Sequence, residues 1–171
     1  MNRTTPLGRL ALILALVVIV LDQITKAWVL GPLALRLGES HPVIPGLFNF
    51  TLVHNEGVSF HLLVASTDLA RWALVVFSLI VAVGLAVWAQ RSQRRLTACA
   101  LGLVIGGAVG NAVDRARLGH VTDFIDFSGL HFPWVFNVAD SAISVGVAIL
   151  LIESFLTPAA PSSSPDAPKK A

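Results

Sequence analysis

Asp22, Asp114, Asp123, Asp126 and Asp140 are the residues of this 171-residue sequence whose type and placement can do chemistry. Two carboxyl groups close together in a poorly solvated place cannot both ionise cheaply, so one keeps a proton while the other stays charged. Such a pair can hydrolyse an amide: the carboxylate takes a proton from water, and the carboxylic acid polarises the carbonyl. The pair titrates as a unit, so acid and base are not assigned to individual residues. Asn111 and Asp114 are three residues apart, as are Asn137 and Asp140, so on a helix each pair shares a face and an amide stands beside each carboxylate. Asp22 and Lys26, four apart, can pair; a locking ion pair and a working carboxylate are both open readings of Asp22. Asp123 and Asp126 lie three apart in Asp123-Phe124-Ile125-Asp126, and composition does not choose between them.

Other chemistries find less support. His54, His61, His120 and His131 lack the spacing of a zinc motif, so no metal site is expected. Cys99 is the sole cysteine and sits in an apolar stretch, where it reads as a small buried hydrophobe; no intramolecular disulfide can form. No serine-nucleophile motif stands out, although Ser141 and Ser144 share the helix expected to carry Asp140. Gly102, Gly106, Gly107 and Gly110 recur at near-helical spacing, which favours close helix packing over a phosphate cradle. Arg117 reads as an anchor at headgroup level, whereas Arg115 can hold a lipid phosphate or a substrate carbonyl.

The elements that position these groups follow from composition. The chain is 55% apolar and 13% charged, with a mean hydropathy of +0.77. A soluble domain carries about 25% charged residues, so lipid is the solvent this composition requires. The net charge of +2 comes from scattered basic residues and offers no nucleic-acid patch. Four stretches approach the roughly 20 apolar residues of a membrane span. They run over residues 10–30, 72–89, 96–113 and 136–156. The first continues into Asp22, Gln23 and Lys26 without a small-residue cleavage pattern, so it is kept as a helix and not read as a signal peptide. It carries no lipidation cysteine. Trp28, Trp72, Trp88 and Trp134 fall near span ends, as interface residues do.

Arg91, Arg94 and Arg95 fill the tight turn between the second and third spans, Arg3 and Arg9 precede the first, and Lys169 and Lys170 close the chain. The bias of Lys and Arg toward the inside places these three regions in the cytoplasm. Asp22, Asp114, Asp123, Asp126 and Asp140 then collect near the outer membrane face. Intramembrane carboxylates usually face a bundle interior and mark a working site. Between the first two spans, Leu33, Leu35 and Leu37 alternate, as do Phe48, Phe50 and Leu52, with Pro42, Pro45 and Gly46 as punctuation and a turn at residues 54–57 leading into a strand over 58–64. The expected architecture is a mainly α membrane protein: a four-transmembrane-helix bundle over residues 1–156 with a small external β-rich element over about 32–64. Residues 157–171, rich in Pro, Ala and Ser, are expected to form a disordered cytoplasmic tail.

Taken together, the segments resemble the lipoprotein signal peptidase (signal peptidase II) family. The resemblance rests on Asp22-Gln23-x-x-Lys26, Asn55-x-Gly57, Gly106-Gly107-Ala108-x-Gly110-Asn111-x-x-Asp114-Arg115, Val121-x-Asp123-Phe124-Ile125 and Phe136-Asn137-x-Ala139-Asp140-Ser141-x-Ile143. These boxes occur in family order across most of residues 10–156. The resemblance implies an aspartyl endopeptidase that removes the signal peptide from diacylglyceryl-modified prolipoproteins, cutting just before the lipidated cysteine at the outer face of the bacterial inner membrane. It selects Asp123 and Asp140 as catalytic. It also implies that Asn55, Asn111, Asp114, Arg115 and Asn137 shape the site or hold substrate, with Asp22 in the same motif set. A metal-free, cofactor-free mechanism, contact with membrane lipids and inhibition by globomycin-type peptides follow from the same resemblance. A proton-coupled transporter using Asp22, Asp114 and Asp140 is the rival reading. It needs acids along a path across the membrane, and the cytoplasmic half offers only Glu153. A scaffold subunit assembled through Asp/Arg pairs is a third.

Overall fold

The computed structural model describes residues 4–57 and 68–156. Four helices run through it: α1 (Pro6–Leu30), α2 (Asp68–Arg91), α3 (Arg95–Leu118) and α4 (Val138–Leu156). Each is long and apolar enough to cross a membrane. At 1.5 Å per residue, 24 residues reach about 36 Å, more than the roughly 30 Å of a hydrocarbon core. Side chains such as Leu16, Ile24, Phe77, Ile80, Val83 and Phe155 point outward from the bundle, where only lipid suits them. The chain is a multi-pass membrane protein.

The sequence places the four spans correctly, with one consequential difference. The third span extends past residue 113 to Leu118, so Asp114, Arg115 and Arg117 lie within α3 instead of ending it. Gly119 closes the helix in the left-handed conformation at φ +86°, its N–H bonded to the Arg115 carbonyl at 3.2 Å, which is the usual role of glycine at a helix C-terminus. At the other end of the chain, the fourth helix starts at Val138, not at residue 136.

α3 is the central helix: 61% of its spanning window is buried, against 11–28% for the other three. Its composition explains this. A Cβ on Gly102 would stand 2.6 Å from the Ala11 carbonyl oxygen of α1, and one on Gly106 would stand 2.6 Å from Val18 Cβ. A Cβ on Gly107 would overlap the Ala139 carbonyl of α4. Small residues thus let α1 and α4 approach the α3 backbone on two sides, as expected where lipid gives no hydrophobic drive between helices.

Beside the end of this bundle that carries Asp22, Asp114 and Asp140 lies a four-stranded antiparallel sheet in the order β1 (Ser40–Ile44), β2 (Phe48–Asn55), β3 (Val121–Asp126), β4 (Val135–Phe136). The hairpin β1–β2 turns over Pro45 and Gly46, with Leu47 N bonded to the Ile44 carbonyl at 3.0 Å and Gly46 at φ +74°. The β-element is therefore not confined to residues 32–64. Half of its strands come from the segment between α3 and α4, outside the stretch expected to form it. The Leu33, Leu35 and Leu37 alternation is not a strand: residues 31–33 form a turn, and Leu35 drops into a cluster with Val29, Leu52 and Phe124. The strand expected over 58–64, His61 and the tail over 157–171 lie outside the described residues.

Candidate active site

Asp123 sits in mid-strand on β3, opposite Val53 of β2. Two amides grip it: Asn137 Nδ2 donates to its Oδ1 at 2.7 Å and Asn55 Nδ2 to its Oδ2 at 3.1 Å. Asn55 is itself fixed, since its Oδ1 accepts from Gly57 N at 3.2 Å. Only 2% of Asp123 is exposed. Burial, and after it the neighbouring Asp140 charge, push its carboxyl up to about 7, against the hydrogen bonds from Asn55 and Asn137.

Asp140 is in the first turn of α4 and reaches the same place by a local device. Asn137 immediately precedes the helix. Its Oδ1 accepts from Asp140 N at 2.9 Å, while Asp140 Oδ2 accepts from Asn137 N at 3.2 Å. This is a capping box with Asp at its third position, and it fixes one carboxylate oxygen. Asn111 Nδ2 from α3 donates to the other at 2.8 Å. The spacing of Asn137 and Asp140 suggests one helix face; the pair is instead a reciprocal cap. Sequence reasoning misses this signal, although Asn-x-x-Asp ahead of an apolar run is itself the pattern of a cap.

Asn137 thus touches both aspartates and bridges β3 to α4. It is fully buried, whereas Asp140 is half-buried and leaves the pair one approach from outside. Arg115, half-buried on α3, lies close enough to act electrostatically on Asp140, Asp123 and Asp114, and its buried Nε has no hydrogen-bond partner among the described residues.

Asp22 and Asp114 stand behind this pair. Lys26 Nζ lies 2.8 Å from Asp22 Oδ2 and 2.8 Å from Asp114 Oδ2. Gln23 Nε2 donates to Asp114 Oδ1 at 2.8 Å and to Asp22 Oδ2 at 3.2 Å. Asp22 Oδ1 accepts from Ala139 N at 3.0 Å, a favourable use of an anion at the N-terminus of α4. Asp114 Oδ2 accepts from Thr122 N at 3.1 Å, next to Asp123. These two carboxylates therefore hold α1, α3, α4 and β3 together. Gln23 is a member of this group that only its place in the Asp22 motif signals. Arg117, read as a headgroup anchor, reaches Gln23 Oε1 at 3.5 Å.

Asp126 is also on β3 but is turned to other partners. Thr51 Oγ1 donates to it at 2.5 Å and Ser128 N at 2.7 Å. Burial opposes its charge, but these hydrogen bonds outweigh it and hold the carboxyl below the usual range. His54 and His120 stack with ring centroids 3.7 Å apart. Among the described residues, no three His, Cys, Asp or Glu side chains converge as metal ligands.

Comparison with known proteins agrees with this architecture. Residues 14–156 match the family described as Signal peptidase (SPase) II. The lipoprotein signal peptidase of Caulobacter vibrioides is 53% identical over 151 residues, covering 88% of this chain and 89% of its own. That of Rhizorhabdus wittichii is 43% identical over 157 residues, covering 90% and 91%. Two solved bacterial membrane enzymes share the fold with TM-scores of 0.76, at 26% and 27% identity, covering 91% and 92% of this chain and 92% and 99% of theirs. By sequence and by architecture, this chain belongs to the signal peptidase II family.

Proposed function

We propose that this protein is a membrane-embedded aspartyl endopeptidase that removes the signal peptide from diacylglyceryl-modified prolipoproteins, cutting before the lipidated cysteine. It works in the bacterial inner membrane, with both termini cytoplasmic and the site at the outer face. Membrane lipids and globomycin-type peptides are its further partners. The names of the relatives support the substrate class. The observation that carries the chemistry is the bridge of Asn137 between Asp123 and Asp140, with one carboxyl buried enough to keep a proton near neutral pH.

A pair sharing one proton suffices for the reaction. The ionised carboxylate takes a proton from water as its oxygen attacks the scissile carbonyl carbon, and the protonated partner gives its proton to the carbonyl oxygen. Collapse of the tetrahedral intermediate breaks the C–N bond: the proton taken from water goes to the departing amine, and a hydroxyl of the intermediate returns its proton to the other carboxylate as the carbonyl reforms. The pair ends as it began, again with one proton. Asn55, Asn111 and Asn137 keep the two carboxyl groups in place with donors on all four oxygens. Arg115, whose Nε has no partner among the described residues, can offer a donor to a substrate carbonyl or lipid oxygen.

The test is turnover of a synthetic lipidated precursor by purified protein. Asp→Asn preserves size and hydrogen bonding but removes the titratable proton. Asp123→Asn and Asp140→Asn are each expected to abolish turnover while inhibitor binding persists, and the double variant should be no worse than either, since groups acting as a unit are non-additive. Asp126→Asn should keep substantial activity. A dead Asp126→Asn beside an active Asp123→Asn would overturn the assignment.

A further inference from the structure

Lys26 makes more contacts than an ion pair needs. It is 3% exposed and is clamped by Asp22 and Asp114, each at 2.8 Å, yet it also donates to Asn111 Oδ1 at 3.2 Å. An ammonium has only donors, so the Asn111 atom facing it must be the oxygen. Asn137 Nδ2 donates to that same oxygen at 3.2 Å. The Asn111 amide is then held one way round, with Nδ2 aimed at Asp140 Oδ1 at 2.8 Å. Flipped, it would set N–H against ammonium and carbonyl oxygen against carboxylate, repulsive at both ends. A fully buried ion pair is by itself weak evidence for stability, so charge balance alone leaves the third contact unexplained.

We propose that Lys26 is a positioning residue for the reaction, acting through Asn111: its ammonium fixes the amide so that a donor always faces Asp140. This rests on the reading of Asp140 as one of the two reacting carboxyls. The charged groups around the relay are Asp22 on α1, Asp114 and Arg115 on α3, Asp123 on β3 and Asp140 on α4. Lys26 itself touches no substrate in this scheme; the clamp beneath it is what makes its orientation of Asn111 rigid.

Charge balance and relay can be separated by mutation. Lys26→Met removes the donor and strands two carboxylates, so that variant should be destabilised. Asp22→Asn/Lys26→Met also removes the donor but keeps the group's net charge, because Asp114 alone then carries it. The amide oxygen that Asp22→Asn leaves in place can still accept from Ala139 N. The double variant should regain most of the melting temperature but not the turnover: kcat is expected to fall roughly 10- to 100-fold, the effect of a slightly misplaced reacting group. KM should stay within about threefold, as for an interaction that acts on the transition state. Lys26→Arg, which keeps the charge and donors, is the second variant and should recover at least about tenfold of the turnover lost in Lys26→Met. A double variant with kcat near that of the unmodified protein would overturn the relay, as would equal losses in Lys26→Arg and Lys26→Met. Asp140→Asn is run alongside: activity there would mean that the dyad reading had failed, whatever Lys26 does.

Discussion

Asp123 and Asp126 share one short strand, yet their surroundings drive their carboxyl groups in opposite directions. Asp126 sees hydroxyl and backbone donors at the C-terminal end of β3. Asp123 sees a dry interior and a second acid. A carboxyl raised toward neutral pH is what a shared proton requires, and Asp123 meets that condition while Asp126 does not. The shift has a consequence for stability with a definite sign. Asp123 holds its proton up to about pH 7 when folded, against an ordinary value of 3.8. Between those values the folded state binds an extra proton, so stability falls as pH rises through that window. The full interval corresponds to at most roughly 4 kcal/mol. Asp123→Asn has no proton to lose. Its melting temperature relative to the unmodified protein should therefore climb from about pH 4 to about pH 7 and then level off. A difference independent of pH would show that Asp123 does not hold the proton. At this scale the sequence is informative about residue type and less so about partners. Five aspartates and the amides near them are visible in it, but which amide meets which acid depends on α3, β3 and α4 converging, and a single chain does not display that.

The helices are legible because the bilayer imposes one requirement on each of them, a continuous apolar run of sufficient length. The sheet is legible only in part. The hairpin of β1 and β2 carries turn residues at Pro45 and Gly46, whereas β3 buries five of its six residues behind polar-looking sequence, and β4 has only two residues. No period of two survives in so short a segment, and its pairing partners lie about 70 residues earlier. The glycines of α3 read as packing residues, and the structure makes that reading quantitative. A Cβ on Gly107 would overlap the Ala139 carbonyl and stand 2.7 Å from Ile143 Cγ1. Backbone cannot yield there without moving the first turn of α4, which carries Asp140. Gly107→Ala should therefore lower stability by about 1–3 kcal/mol, the usual effect of overpacking, and reduce turnover of the lipidated precursor well beyond that loss of folded protein. Gly84→Ala on α2, where a Cβ meets nothing within 4 Å, is the matched control and should be silent in both assays. Equal behaviour of the two variants would mean that α3 and α4 do not approach as closely as the fold requires.

On the scale of the molecule, the polar machinery is gathered at one end of an apolar bundle. The C-terminal ends of α1 and α3, the N-terminal end of α4 and strand β3 supply Asp22, Asp114, Asp140 and Asp123. At the other end Glu153 is engaged by Thr97 at 2.6 Å and Arg94 at 3.3 Å. No described carboxylate lies between the two ends, which is the arrangement of a site at a membrane boundary and not of a proton path across it. A boundary site has water on one side for hydrolysis and low dielectric on the other to keep two acids sharing a proton. The orientation of the bundle then decides which compartment supplies that water. On the proposed orientation, argued from the arginines of the α2–α3 turn, that end is cytoplasmic and the sheet is outside. With Cys99 replaced by Ala as background, single cysteines at Ser40 on β1 and Ser128 after β3, both exposed, should react with an impermeant thiol reagent added to intact cells. A cysteine at Gln93 in the turn, also exposed, should react only after permeabilisation. The opposite pattern would put the aspartates on the cytoplasmic side and overturn the proposed placement of the site at the outer face.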